Sequence, residues 1–393
     1  MIEAFLVSRF ISDYFWEFKI LSASQILIIF VALLFLKVTR RKLRLSITGI
    51  DLLAISFTLY VCSSYLFNAN DDTLIITIKF CLFLLAYFAG RMNLLVFSQL
   101  EKLSIIASIA LLAFLGMGLL GVGYQDWGGV STFTAGYFFK SDLALSACML
   151  LTIILSGSKN IKLLSISWLS TMIVVLQTNA RVFIPIVFLL PIIAYLISNK
   201  DRPNINYLSI FGKTLVLAIA ASLVMYFGIS AFSDNGDYLV ISTTDFFSAS
   251  NTQGRSVIWD ALIAGYLSSD LTTQLFGAGL DADRIFVSGF AEVAGLEDAN
   301  AHNIYLYILV SLGLIGLIFC TSILLFTSKI FYQLLKSNNK NVVTLSSISI
   351  SYFLILLVAG LTTDAILRPQ IMAPFCFFLG LSVKYCLRLK NKE

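Results

Sequence analysis

Six side chains in this sequence could together perform acid–base and anion chemistry: the only histidine, His302, and the cations Lys140, Arg181, Arg255, Arg284 and Arg368. An imidazole has an ordinary pKa of about 6.5, which suits it to taking a proton near neutrality. A guanidinium binds phosphate through two parallel N–H groups and stays charged, so it can stabilise charge on a departing diphosphate without a metal. A base that deprotonates a sugar hydroxyl beside arginines that hold a diphosphate would form a glycosyl-transfer site. Each residue also has a plainer reading. A lone interfacial histidine is ordinarily structural, and an arginine at the end of a membrane span can snorkel to the headgroups. Convergence favours chemistry, because all six are expected on one side of a membrane.

That expectation comes from composition and charge placement. The chain has 393 residues, 59% hydrophobic and 12% charged, with a net charge of +5. Soluble domains carry about 25% charged residues, so half of the usual charge is missing. This excludes a soluble enzyme, a disordered scaffold, a nucleic-acid binder and any site built from several histidines. Runs long enough to cross a bilayer, about 20 apolar residues and sometimes about 17, fall near 21–37, 48–68, 73–90, 103–122, 142–156, 163–178, 182–198, 214–233, 302–326, 342–361 and 370–387. Residues 1–19 form a candidate twelfth span or an interfacial helix, and lack the order of a cleavable signal peptide. The fold class expected is therefore an all-α polytopic membrane protein of 11–12 transmembrane helices, a single integral-membrane domain over 1–393. Period-2 alternation is absent, which speaks against a β-barrel.

Of the 27 Lys and Arg residues, nineteen lie in alternate connections, including Arg40, Arg41, Arg91, Lys159, Lys200, Lys336 and Arg388. Those connections are expected in the cytoplasm. Lys140, Arg181, Arg255, Arg284 and Arg368 then remain on the outer face, where the same bias tends to remove cations. The six cysteines lie in or at the ends of apolar runs without a CxxC pair, so they read as small packing residues rather than disulfides or metal ligands.

One long polar segment, 234–301, is expected outside as an extracytoplasmic loop containing short helices. Its ten acids against Arg255 and Arg284 create no field attractive to anions, so anion binding there must come from placed arginines. Residues 254–263 read as an amphipathic helix with Val257, Ile258, Ala261 and Leu262 on its apolar stripe and Arg255 in its first turn. There the helix dipole disfavours a cation and favours a bound anion. Gly277-Ala278-Gly279 marks a turn that is a weak phosphate cradle by itself. Asp281 and Asp283 have the spacing of a metal-binding pair but read better as a solvated turn. Trp259 reads as an interfacial anchor.

Four patches resemble, in order, those of the O-antigen ligase and O-antigen (or capsular or exopolysaccharide) polymerase superfamily of bacterial membrane glycosyltransferases. Ala301-His302-Asn303-Ile304-Tyr305-Leu306 followed by Gly313-Leu314-Ile315-Gly316 looks like the family's His-Asn-x-Tyr-Leu run and its Gly-hydrophobic-hydrophobic-Gly sequel. Gly254-Arg255 with Trp259 and Phe276-Gly277-Ala278-Gly279 is similar to its arginine-bearing loop helix and Gly-x-Gly turn. Thr178-Asn179-Ala180-Arg181 resembles Thr-x-Ser-Arg, with Ala180 in place of the serine. Gly136-Tyr137-Phe138 with Asp142-Leu143-Ala144 resembles the aromatic entry to a span. Ser311 stands where an acid often precedes the paired glycines. Thr363 to Gln370, with Arg368, is in keeping with the last outer loop.

The resemblance covers about 130–380. It implies a GT-C-like fold in the bacterial cytoplasmic (inner) membrane and a site facing the periplasm or cell exterior. It also implies metal-independent transfer from an undecaprenyl-diphosphate-linked oligosaccharide, with no cofactor. His302 would be the base, Arg181 and Arg255 the diphosphate ligands, and Lys140, Arg284 and Arg368 weaker contacts to phosphate or glycan, while Trp259 would offer a sugar-stacking face. A chain-length regulator and a flippase are the partners expected. The single modest loop and the Gly-Tyr-Phe and Asp-Leu-Ala patches lean towards a polymerase that joins repeat units. A ligase to lipid A core is the alternative, and a lipid-linked glycan transporter a further one.

Overall fold

Apolar runs, several of them entered at Asn, fold as helices in the computed structural model, which describes residues 46–67, 69–93, 97–127, 130–137, 139–180, 182–199, 255–287 and 300–390. In chain order they form α1 (Gly49–Phe67), α2 (Asp71–Met92), α3 (Phe97–Leu119), β1 (Tyr124–Trp127), β2 (Val130–Phe133), α4 (Lys140–Gly157), α5 (Ile161–Gln177) and α6 (Phe183–Ser198). Then follow α7 (Arg255–Ser268), α8 (Leu271–Phe276), α9 (Ile304–Leu335), α10 (Lys340–Ala359), a 3-10 turn (Ala365–Leu367) and α11 (Pro369–Lys390). Seven of these, α1–α4 and α9–α11, are long and apolar enough to cross a membrane, and α5 and α6 are shorter apolar helices. The chain is a helical multi-pass membrane protein. Nine expected spans coincide with described helices, whereas 21–37, 214–233 and the stretch 1–19 lie outside the described residues.

Local chemistry sets the helix starts. Asn70, Asn160, Asn303 and Asn339 each precede a helix and accept backbone N–H bonds from its first turn. Such a cap contributes about 1 kcal/mol. Asn70 and Thr73 complete a reciprocal capping box. Between α3 and α4 the chain forms an antiparallel hairpin, Tyr124 opposite Phe133 and Trp127 opposite Val130, where hydropathy predicted no strand. Phe133 is buried, and Tyr137 packs edge-on against Phe114 at 5.9 Å. The hairpin thereby fixes the chain as it enters α4 at Lys140.

Helices α2 and α11 pack backbone to backbone. A Cβ on Gly90 would strike the Phe377 carbonyl, and one on Gly380 the Tyr87 carbonyl. Small residues permit this approach where lipid offers no hydrophobic drive to association. At the same end Arg91 donates to both oxygens of Asp51 at 3.0 Å, and Tyr87 also donates to that carboxylate. Arg91 and Asp51 are buried, so Arg91 is a paired residue in the last turn of α2, where the charge count placed it in the connection that follows.

Helix α9 is broken at Gly313, whose φ of 65° and ψ of −169° interrupt the helix. The carbonyls freed by the break find donors. Ala278 N–H donates to Val310 at 2.9 Å, Gly279 N–H to Ser311 at 3.2 Å, and the Tyr60 hydroxyl to Leu312 at 2.8 Å. The Gly-x-Gly turn after α8 is thus a packing joint. Two of its N–H groups serve α9 and are not offered to a phosphate. A Cβ on Gly313 would meet the Leu275 carbonyl, and one on Gly277 the Ser311 carbonyl.

Left-handed backbone strain alone costs about 1–3 kcal/mol in a residue with a Cβ. We therefore expect Gly313→Ala to lower the melting temperature of the detergent-purified protein. Gly116→Ala, where an added Cβ meets nothing within 4 Å, should leave it unchanged or slightly raised. Equal melting temperatures for the two variants would refute the joint.

Candidate active site at one end of the bundle

Alternating helices bring distant chain segments to one end of the bundle. The starts of α4, α6, α7, α9 and α11 and the ends of α5 and α10 enclose a cavity of about 310 Å³. Lys140, Arg255, His302, Asp364 and Arg368 line it, with Asn179 and Ala180 from the α5–α6 turn. At the opposite end of the bundle Lys159 and Lys340 lie together. The two ends separated by the charge count are thus physically opposite.

His302 stands outside α9, since Asn303 is the N-cap, rather than opening the span as the sequence predicts. Its backbone is left-handed, with φ 46°, and hydrogen bonds hold it on both sides. Ala301 N–H donates to Asp283 Oδ2 at 3.0 Å, and Trp259 Nε1 donates to the Ala301 carbonyl at 3.0 Å. Beyond it, Asn303 Oδ1 accepts from Tyr305 and Leu306, and Ile304 N–H donates to Gly360 at 2.8 Å. Burial pushes the imidazole pKa below its ordinary 6.5; Arg255 and Arg368 push the same way and Asp364 opposes them. His302 is therefore neutral at pH 7 and able to accept a proton.

Arg255 is the first residue of α7 and lines the cavity. Among the described residues it makes no hydrogen bond or ion pair. Burial pushes its pKa below the ordinary arginine value, and the field of Asp364 opposes this. A desolvated guanidinium at a helix N-terminus is poorly compensated, which makes it receptive to an anion.

Arg368 is differently placed. Its Nη2 donates to both Asp364 oxygens at 2.9 and 3.2 Å, its Nε lies 3.7 Å from Asp142 Oδ1, and its guanidinium covers the Phe139 ring at 4.3 Å. Burial disfavours its charge, but Asp142 and Asp364 outweigh burial and raise its pKa. Its charge is already matched inside the protein, so Arg368 shapes the wall more than it offers a free cation.

Of the other sequence-predicted residues, Lys140 lines the cavity. Arg284 is not brought in. It is 45% exposed, pairs with Asp72 at 2.8 Å and donates to Asn300 at 3.2 Å, tying its segment to the start of α2. Arg181 lies outside the described residues, although Ala180 and Val182 on either side of it line the cavity.

The solvated-turn reading is corrected for Asp283, whereas Asp281 does sit in a half-exposed turn. Asp281 accepts from the Asn70 side chain at 2.8 Å, a second tie to the start of α2. Asp283 is buried, and burial pushes its carboxyl up to about 6, against the Ala301 N–H that favours its charged form. Among the described residues no group of three or more His, Cys, Asp or Glu side chains is placed to hold a metal. Asp142 and Asp364 are the site residues that sequence reasoning missed. The available signals were the i,i+4 spacing of Asp364 and Arg368 and an acid in the first turn of an apolar span.

Chemically, the cavity offers a neutral imidazole, a guanidinium without a hydrogen-bonded acid among the described residues, a lysine and a buried carboxylate. That set can take a proton, hold an anion and counter the imidazolium that results. No protein-family model matches the chain, and no curated protein matches it.

Proposed function

We propose that the chain is a membrane glycosyltransferase that polymerises glycan repeat units carried on undecaprenyl diphosphate, acting at the outward face of the bacterial cytoplasmic membrane. What carries the reading is the meeting of His302, neutral and held in place, with Arg255, half-buried and without a protein partner among the described residues, in one cavity of a multi-pass helical bundle. In the step proposed, an acceptor hydroxyl gives its proton to His302 Nε2 or Nδ1. Its oxygen forms the new glycosidic bond as the donor's anomeric C–O bond to phosphate breaks. The leaving undecaprenyl diphosphate keeps the electron pair and is held by Arg255, with Lys140 and Arg181 as further cations. Neutralising charge as it develops on a leaving group is a main source of enzymatic rate. The family resemblance of the 254–259 and 301–316 patches supports the same reading.

The direct test supplies the purified protein, in lipid nanodiscs, with lipid-diphosphate-linked repeat units extracted from the source cells. Longer lipid-linked glycans are expected. Movement of the lipid between leaflets with no new glycosidic bond would instead make the protein a transporter, and transfer only onto lipid A core would make it a ligase. Arg255→Lys keeps the charge but loses the planar fork. A hydrogen bond to a charged group is worth about 1.5–3 kcal/mol, so donor binding should weaken by about 10- to 100-fold. Unchanged affinity in a lipid-diphosphate binding assay would remove Arg255 from the site.

A further inference from the structure

The peptide groups next to His302 have unusually specific partners. Ala301 is fully buried, and its two backbone hydrogen bonds go to side chains distant in sequence. Its N–H goes to Asp283 on the segment after α8, and its carbonyl, in the peptide bond shared with His302, receives the Trp259 indole N–H from α7. Both bonds are 3.0 Å long. A left-handed backbone at a residue with a Cβ persists only where the surroundings over-determine it, and these are the bonds that do so on the upstream side. Trp259 is also four residues after Arg255 on α7, hence one turn along the same helix face. Ile258, Ala261 and Leu262 bury that helix in the bundle.

We propose that Trp259 and Asp283 are positioning residues that clamp the Ala301–His302 segment, so that α7 acts as a strut fixing the distance between the base and the anion-binding arginine. The inference rests on the glycosyltransferase reading for its catalytic consequence. Its structural content stands apart from that reading. It gives Trp259 a task other than sugar stacking or anchoring at the interface, and gives the Asp281-x-Asp283 pattern a task other than metal binding. Asp283 acts through backbone and Trp259 through an N–H, so neither needs to touch substrate.

Because the chain has one histidine, ¹⁵N-histidine labelling, with purification through a histidine-free tag, yields a signal from His302 alone. In the wild-type protein a single imidazole environment is expected. Trp259→Phe keeps an aromatic ring and removes the N–H; Asp283→Ala removes the acceptor. Each should shift or split the His302 signal, and each should slow single-turnover glycosyl transfer by at least about 10-fold, while lipid-diphosphate affinity changes by less than about 3-fold. Asp283→Asn retains an acceptor oxygen and should restore both the signal and the rate. Combining Trp259→Phe with Asp283→Ala should cost less than the product of the separate losses, because both release one segment.

An unmoved His302 signal in both single variants would overturn the clamp. So would failure of Asp283→Asn to differ from Asp283→Ala. A signal that moves as expected in a protein showing no glycosyl transfer would uphold the clamp and refute the glycosyltransferase reading instead.

Discussion

Replacement of His302 by alanine is expected to reduce glycosyl transfer by about 10²–10⁴-fold, the usual contribution of a positioned general base, while lipid-diphosphate binding through Arg255 persists. No second histidine exists to substitute for it. The acid in the same cavity, Asp364, is engaged by Arg368 through both oxygens. The pH dependence has a definite sign. The imidazole pKa is displaced below 6.5, first by burial and then by Arg255 and Arg368. The reactive neutral form therefore persists through neutral pH, and the rate should be flat there and fall only on acidification below 6.5. Stability follows the same direction. Above 6.5 the imidazole is neutral in folded and unfolded chains alike; as pH falls through 6.5 the unfolded chain binds the proton first, so folding weakens. His302→Ala should lose this acid-side sensitivity of the melting temperature. Rates and melting curves between about pH 5 and 8, where His titrates, check both. A variant with undiminished chain growth would remove His302 from catalysis.

The parts read well from sequence were those governed by transfer out of water. Residues 48–68, 73–90 and 342–361 become helices α1, α2 and α10, because hydropathy measures the property a bilayer selects. Sorting cations by side also placed Lys140, Arg255, His302 and Arg368 at one end, where they line one cavity. What sequence could not separate was a cation lining the cavity from one already matched elsewhere. Arg284 and Arg255 share a loop, yet one is held by Asp72 and the other has no such partner among the described residues. That difference depends on where α2 begins, some two hundred positions away. The hairpin was hidden for another reason. Strands of four residues are too short to show alternation against an apolar background, and the Gly128-Gly129 pair was the one turn signal available. The glycines at 277 and 313 were recognised as a pattern, but their backbone contact is a fact of packing.

Asp364→Asn is expected to produce the largest loss of stability of any single change in the cavity, about 3–5 kcal/mol, the range for removing one partner of a buried ion pair. Asp364 is buried; burial opposes its charge, but Arg368 and then His302 hold its carboxyl below the ordinary value of 3.8. Its stabilising effect is therefore present above 3.8 and lost only as pH falls through the lower folded value. Without it, Arg368 retains Asp142 at 3.7 Å but, among the described residues, no charged hydrogen-bond acceptor, and His302 faces Arg255 and Arg368 with its main counter-charge removed. Its pKa should then fall further, moving the acid limb of the rate profile to lower pH while the rate on the plateau drops, because the imidazolium formed in the reaction is less well compensated. Folding and catalysis can be separated by the double change Asp364→Asn with Arg368→Gln, which removes the pair together. Neutral replacement of a buried pair is often tolerated, so the double variant should regain much of the melting temperature. The acid limb depends on the balance of the two. Asp364 raises and Arg368 lowers the His302 pKa, so that limb should return towards its wild-type position while the plateau rate stays low. A single variant whose rate profile keeps its wild-type shape would show that Asp364 serves only to hold Arg368.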